Sequence, residues 1–390
     1  MKKVLYFFPD DITRQTAGNI TRALYLLKYF NQKGFAVDFV SVIDEKIKNT
    51  QQGTQAFFKE QGLNANVYLI PRKVGKQNPV YYFFRYKLWN LIYYLFAYPL
   101  KSNIPTYLTL KIKKEFNKIQ AANTYDDIII SYVYCAGLIA NKNLLKGAKT
   151  IIDTHDFITA QFKGKKNFNM GITFEDEIER LNTFDEIWAI SNEEQYIFNQ
   201  FCKSPVNLIP FMMDEPLQSK KPASEREFDL IYIASDNVHN IKSAKWFFNE
   251  VYPLLPKELK IAVIGKINNY IADGYVITRI PFAEKLEGYY NNSKIALCPM
   301  LQGTGVKIKV VEALAYGLPV VCTSRGTDGL PNKQDNGCMV SDDVSQFAKN
   351  IMALLQDESL YEHQSHMAKQ LFNNSFSSNV VFKLLDRSFI

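Results

Sequence analysis

The 390-residue sequence contains no Asp-x-Asp, no Cys-x-x-Cys pair and no uninterrupted apolar run of about 18 residues. Each absence excludes something. Without the first spacing, no pair of carboxylates is set up to hold a divalent cation, and neither a metal nor a cofactor is expected. The five cysteines, at 135, 202, 298, 322 and 338, are odd in number and lack zinc-finger spacing. Free thiols in a reducing compartment are the expectation, with Cys298 and Cys322, each ending an apolar run, in the core. Without a long apolar run there is no transmembrane helix to predict. Met1-Lys2-Lys3 followed by Val4–Phe8 imitates the start of a signal peptide, but Pro9-Asp10-Asp11 ends the run too early. A first buried strand in a cytoplasmic protein is expected instead. Charge is also scarce: 46 basic against 39 acidic residues leave +7. That excess suits an anionic small molecule or a membrane surface, and with no recognition motif present it argues against a nucleic-acid partner.

What the sequence has in abundance is alternation. Short apolar runs, Val4–Phe8, Val37–Val42, Val67–Ile70, Ile128–Ile130, Ile151–Ile152 and Ile187–Ile190, are separated by longer amphipathic stretches. The first of these stretches puts Ile20, Ala23, Leu24, Leu27 and Phe30 on one helical face, with Gly34 as its stop. Ser191 and Glu194 form a capping box after the last run. A polar stretch, Met212 to Glu227, reads as a linker. A second set follows: Leu230–Ile233, Ile261–Ile264, Val276–Ile277, Ile295–Cys298, Val320–Cys322 and Cys338–Val340. Nearly continuous apolar strands alternating with helices predict an α/β protein with two Rossmann-like domains. The domains are placed at 1–210 and 223–372, with a C-terminal helix at 373–390 packing back on the first domain. Ligands in such sheets sit beyond the carboxyl ends of the strands, which for two facing domains is a cleft between them.

The segment 79–115 breaks the pattern. It is dense in aromatics, Tyr81, Tyr82, Phe83, Phe84, Trp89, Tyr93, Tyr94, Phe96 and Tyr98, with Arg85, Lys87, Lys101, Lys111, Lys113 and Lys114 among or after them. A basic, aromatic helix is suited to an anionic membrane interface. A pair of ordinary helices packing their rings onto the first domain would have the same composition.

The stretch with the most chemistry is Leu301 to Val321, L-Q-G-T-G-V-K-I-K-V-V-E-A-L-A-Y-G-L-P-V-V. Gly303 and Gly305 permit a tight turn with the backbone close to a ligand. A helix is expected from near Val306 to Gly317, with Pro319 beyond it. Amides at its start favour an anion, and Lys307 in its first turn would add a cation, as a diphosphate requires. Glu312, about 10 Å along the axis, could accept hydrogen bonds from ribose hydroxyls. The plainer alternative is a glycine turn before a surface helix with Lys309 and Glu312 as a solvated pair.

This stretch resembles the donor motif of retaining glycosyltransferases of group 1 (family 4), whose GT-B fold has two Rossmann-like domains. One subgroup carries G-x-G-x-K-x-K-x-x-E-A-x-A-x-G-x-P-V-V, matched here at every fixed position from Gly303 to Val321. Ala17-Gly18-Asn19 occupies the family's first loop, Phe184 to Ser191 resembles the end of its first domain, and Asn240 and Pro253 resemble its N…P pattern. The resemblance assigns donor binding to Gly303, Thr304, Gly305, Val306, Lys307 and Glu312, and a loop role to Gly18 and Asn19. Thr304 stands where many members carry a first glutamate associated with the donor sugar. The family's early Arg and Lys have no clear match between Ser235 and Lys242, so Lys307 is expected to neutralise much of the phosphate charge.

Asp153-Thr154-His155-Asp156 follows a strand at the end expected to bind ligands. His155 resembles a histidine that the family places near the donor sugar, and Asp156 could bond an acceptor hydroxyl or orient it. Both are candidate catalytic residues. The local alternative makes Asp153 or Asp156 a helix cap and His155 a loop residue. His239, His363 and His366 read as surface residues. The reading is therefore a metal-independent, hexosyltransferase-like enzyme moving a sugar from a nucleotide-sugar donor to a glycan, lipid-linked or protein acceptor, peripheral to the inner face of the cell membrane if segment 79–115 touches it. A nucleotide-sugar epimerase of the same fold and a non-catalytic nucleotide-sugar-binding partner are the alternatives.

Overall fold

A computed structural model describes residues 1–14, 18–43, 50–72, 78–97, 104–217 and 221–389, with Phe96 and Ala97 as backbone. Ala17, Tyr98, Lys101 and Lys220 lie outside the described residues. The chain divides into two compact units, Met1–Ile209 and Pro210–Ile390.

The first unit is built on β1 (Lys3–Phe8), β2 (Ala36–Ile43), β3 (Asn66–Pro71), β4 (Asp127–Ser131), β5 (Lys149–Asp153), β6 (Glu186–Ala189) and β7 (Val206–Leu208). They form one parallel sheet in the order β3-β2-β1-β4-β5-β6-β7. Ile128, Ile129 and Ile130 show why these runs are continuously apolar: helices cover both faces, so every side chain of β4 is buried. The helix Gly18–Gln32 packs Ile20, Ala23, Leu26, Leu27 and Phe30 inward. Leu26, not Leu24, occupies the buried face, because Leu24 is turned toward its edge. Gly34, in the left-handed region at φ 69°, follows the end of that helix as its stop.

The second unit has β8 (Phe228–Ile233), β9 (Ile261–Ile264), β10 (Thr278–Ile280), β11 (Ser293–Cys298), β12 (Val320–Cys322) and β13 (Cys338–Val340). They are also all parallel, in the order β10-β9-β8-β11-β12-β13. Both units are thus doubly wound Rossmann-like sheets. The tenth strand begins after the expected Val276–Ile277. It lies at a sheet edge with Thr278 exposed and Arg279 and Ile280 half-buried, so apolar residues do not mark it. Cys298 and Cys322 are buried core thiols, and all five cysteines are unpaired.

In each sheet the strand order reverses once, between β1 and β4 and between β8 and β11. Connections run to opposite faces there and leave a crevice at the carboxyl ends, where ligands of such folds bind. Among the described residues, no helix is long and apolar enough to cross a membrane.

Candidate active site

The glycine turn of the second unit leaves the carboxyl end of β11 at that reversal. Gly303 has φ 103° and Gly305 φ 75°, both in the left-handed region that a side chain would strain. A third glycine supports the loop from behind: a Cβ on Gly329 would lie 2.4 Å from Val306 Cγ2. Gly265, at the end of β9, is equally restricted, because a Cβ there would meet the Ala234 carbonyl oxygen at 2.3 Å.

The helix after the turn spans Ile308–Ala315, two residues later than the sequence suggested. Left-handed Gly305 and an extended Lys307 (φ −87°, ψ 98°) cannot belong to it, so Lys307 is the residue capping its start. Lys307 is buried, and its Nζ turns back to donate to the carbonyls of Gly305 at 2.7 Å and Thr304 at 3.2 Å, with Asp328 at 3.9 Å. Burial holds its pKa below the ordinary lysine value, with Asp328 opposing. The lysine therefore clamps the turn as well as charging it. The helix ends as expected: Gly317 is left-handed at φ 62°, and Leu318 N donates to Ala313 O at 3.0 Å.

Lys309 and Glu312 are not a solvated pair. Lys309 Nζ donates to Asn240 Oδ1 at 3.1 Å, and Tyr290 Oη donates to Glu312 Oε2 at 3.0 Å. The Tyr290 ring is itself stacked on Tyr316, 4.9 Å away. Burial pushes the Glu312 carboxyl up to about 7, against the pull of Tyr290 and Lys309. Asn240, buried on the helix Val238–Trp246, also donates to Ser235 Oγ at 3.0 Å. His239, His363 and His366 are exposed, as expected, yet His239 borders the turn: a Cβ on Gly303 would lie 4.0 Å from its Cγ.

A second constellation gathers at the carboxyl ends of the first sheet. His155 is buried, and its Nε2 lies 3.0 Å from Asp153 Oδ2 but off the line of a hydrogen bond. Its ring stacks on Tyr132 at 4.2 Å and 11°. Both residues have positive φ, 61° for His155 and 70° for Tyr132. Arg22 grips Asp153 with Nη2 at 2.7 Å and Nε at 3.0 Å. Burial alone would raise the Asp153 carboxyl, but Arg22 and His155 hold it well below the usual carboxylate range. Asn19, on the first turn of the helix that Gly18 opens, donates to Asp10 Oδ2 at 3.2 Å and lies beside the Tyr132 side chain.

Neither Asp153 nor Asp156 caps the next helix, Ile158–Phe162. Glu177 does, accepting from Ile158 N and Thr159 N, each at 2.8 Å. Burial pushes the Glu177 carboxyl up to about 7 and that of Glu194 up to about 8, with half-buried Asp156 adding to both. Ser191 caps its helix as expected, but Glu194 accepts from Ile190 N instead of closing the box on Ser191. Beyond His155, rings continue outward: Tyr132 to Tyr134 at 6.2 Å, then Tyr134 to Tyr107 at 4.9 Å. Tyr107 is exposed and lies under the Arg72 guanidinium at 5.8 Å.

The structure thus gathers His155 and Asn19 around Tyr132, and Gly303, Gly305 and Lys307 around one turn. Sequence reasoning missed Arg22, Tyr132, Tyr290 and the clamping role of Lys307. No local pattern marks the first three, which lie far in sequence from the groups they serve.

Residues 227–357 match the family model described as glycosyl transferases group 1. An uncharacterized 44.6 kDa protein in the cps region of Klebsiella pneumoniae is 23% identical over 308 residues, covering 70% of this chain and 77% of that protein. Among solved structures, sucrose-phosphate synthase from Thermosynechococcus elongatus superposes with a TM-score of 0.70 at 13% identity, covering 100% of this chain and 98% of that one. Anabaena HepE in complex with UDP and glucose gives 0.68 at 11% identity, covering 100% and 99%. Two parallel Rossmann-like units of this order are the GT-B architecture. The match to the glycosyl transferases of group 1 thus covers the second domain, and as a whole the chain has the GT-B fold.

Proposed function

We propose that the protein transfers a sugar from a nucleotide diphosphate donor to a glycan acceptor, with retention and without a metal. The observation that carries this reading is the Gly303–Gly305 turn: two left-handed glycines at the switch point of the second sheet, clamped by Lys307, at the start of a helix bearing Glu312.

Backbone amides of the turn and the helix start would bind the diphosphate, where charge grows on oxygen as the sugar–phosphate bond breaks. Lys307 stabilises that charge, which makes a divalent cation unnecessary. Glu312, with Tyr290 on one oxygen, would take the ribose hydroxyls on the other. In retaining transfer the acceptor hydroxyl attacks the face the phosphate leaves, and a departing phosphate oxygen takes its proton. In the first domain, His155 and Asp156 are assigned to the reacting sugar and the acceptor hydroxyl. The exposed end of the ring row, Tyr107 and Tyr134, offers flat apolar faces to an acceptor sugar. The cps-region relative and the UDP-bound HepE agree with a nucleotide-sugar reaction on a glycan.

The test is titration with UDP, GDP and ADP, followed by hydrolysis of the matching nucleotide sugars. One base should bind with release of its sugar. Binding of none of the three would overturn the donor assignment, and acceptor-free epimerisation of the donor would replace transfer by the epimerase reading.

A further inference from the structure

Positive charge is distributed very unevenly along this chain. Residues 61–114 hold nine lysines and arginines and no aspartate or glutamate. Since the whole chain carries +7, the remaining residues sum to −2. The basic excess therefore resides in one segment of the first domain.

The same segment carries the apolar surface. After the short helix Pro79–Tyr82 and a wide π turn, Phe83–Lys87, the helix Leu88–Ala97 completes one rod. One side of it is tied to the domain. Tyr86 Oη donates to the Arg72 carbonyl at 3.0 Å, Tyr94 Oη to the Leu108 carbonyl at 3.0 Å, and Asn90 Oδ1 accepts from Leu110 N at 2.8 Å. The other side faces water: Tyr81 is 64% exposed, Phe84 60%, Leu91 56% and Leu95 54%. Leu91 and Leu95 stand one turn apart on the helix, and Tyr81 and Phe84 continue the exposed apolar row along the rod on the other side of the π turn. Trp89 beside it is 53% exposed. Arg85 and Lys87 are exposed on the same rod, and neither is in a described ion pair. A cavity of about 600 Å³ opens between this rod and the helix Leu110–Ala122, and Arg85, Trp89, Lys111 and Lys114 line it with the acid Glu115.

We infer that this face docks the protein on an anionic lipid bilayer, with the Tyr81–Leu95 stripe in the interface and lipid phosphates taken by the basic groups around the cavity. A hydrophobic stripe this exposed is unfavourable in water, and a cluster of lysines and arginines with Glu115 as the one acid in the cavity lining would suit few protein partners. An anionic bilayer supplies both complements at once: acyl-chain boundary for Phe84, Leu91 and Leu95, and phosphate for Arg85, Lys87, Lys111 and Lys114. Tyrosine and tryptophan, with apolar bodies and polar tips, fit the level between them. The inference is independent of the nucleotide site.

The test uses the full chain and vesicles of phosphatidylcholine with or without about 30% phosphatidylglycerol, at about 0.05 M and about 0.5 M salt. Tryptophan emission reports insertion, because Trp188 is fully buried and Trp246 packs on Phe347, leaving Trp89 as the exposed ring. The expected result is co-sedimentation with anionic vesicles at low salt, release at high salt, and a blue shift that Trp89→Phe abolishes. Arg85→Glu with Lys87→Glu should weaken vesicle binding at least about tenfold while leaving nucleotide affinity at the wild-type value. Leu91→Asp with Leu95→Asp should remove the blue shift. No sedimentation at low salt, wild-type sedimentation by the charge-reversed variant, or an emission shift with soluble heparin but not with vesicles would each overturn the inference.

Discussion

Glu312 offers a prediction in which stability and binding move in opposite directions. Its carboxyl, ordinarily near 4.5, is pushed up to about 7 by burial. Above pH 7 the group is ionised in both folded and unfolded chains, and the folded protein bears the full cost of the buried charge. Below 4.5 it is protonated in both and the cost vanishes. Stability should therefore fall as pH rises from about 4.5 to about 7 and stay level above that, as far as this residue contributes. At about 1.36 kcal/mol per pH unit the gap corresponds to roughly 3 kcal/mol. Glu312→Gln keeps the shape and removes the charge. The variant should be up to about 3 kcal/mol more stable than wild type at pH 8, a rise in Tm of about 5–10 °C, and equal to it at pH 4. It should also bind the preferred nucleotide diphosphate about 10- to 150-fold more weakly at pH 8, since a neutral amide replaces a charged acceptor for the ribose. Urea unfolding at the two pH values and calorimetric titration measure both. A variant less stable at pH 8, or one with unchanged nucleotide affinity, would refute the role assigned to this carboxylate.

Lys307→Met should weaken nucleotide binding by roughly 1.5–3 kcal/mol, because it removes a cation and frees the Thr304 and Gly305 carbonyls that Nζ holds; unchanged affinity by titration would count against the turn as the diphosphate site. Arg22→Met should cost about 3–5 kcal/mol by leaving Asp153 buried without its guanidinium partner and with only His155 beside it, and adding Asp153→Asn should recover much of it; strictly additive losses in urea unfolding would contradict the pairing. Donor hydrolysis should be unchanged by EDTA; loss on chelation with recovery on magnesium or manganese would show that Lys307 and the amides do not suffice.

Much of this architecture was legible because a parallel sheet covered on both faces needs apolar residues at consecutive positions. Val4–Phe8, Ile128–Ile130 and Val320–Cys322 announce themselves for that reason. Where the covering thins, so does the signal: β7 (Val206–Leu208) lies at a sheet edge with two half-buried residues and was not foreseen. The glycine turn was readable as a local motif, since glycines, lysine and glutamate fall within ten residues. Its details were not. Lys307 was expected to aim at an anion from the first helical turn, but the left-handed Gly305 delays the helix and lets the lysine fold back on its own loop. The partner of Asp153 lies 131 residues away, a distance over which one sequence carries no pairing information. Exposure of the Tyr81–Leu95 stripe was equally hidden, since its composition suits a core as well as a surface.

The conformations of Tyr132 and His155 bear on any attempt to improve this protein by selection. Two adjoining stacked rings sit on backbone that L-residues other than glycine, asparagine and aspartate seldom adopt, at a cost of order 1–3 kcal/mol each. A library screened only for soluble expression or heat resistance would drift toward glycine at both positions. Such a drift would look like progress while dismantling the one place where Asn19, Tyr132, His155 and Asp153 converge. Screens on this scaffold that reward folding without rewarding turnover would therefore select against the very geometry that distinguishes it.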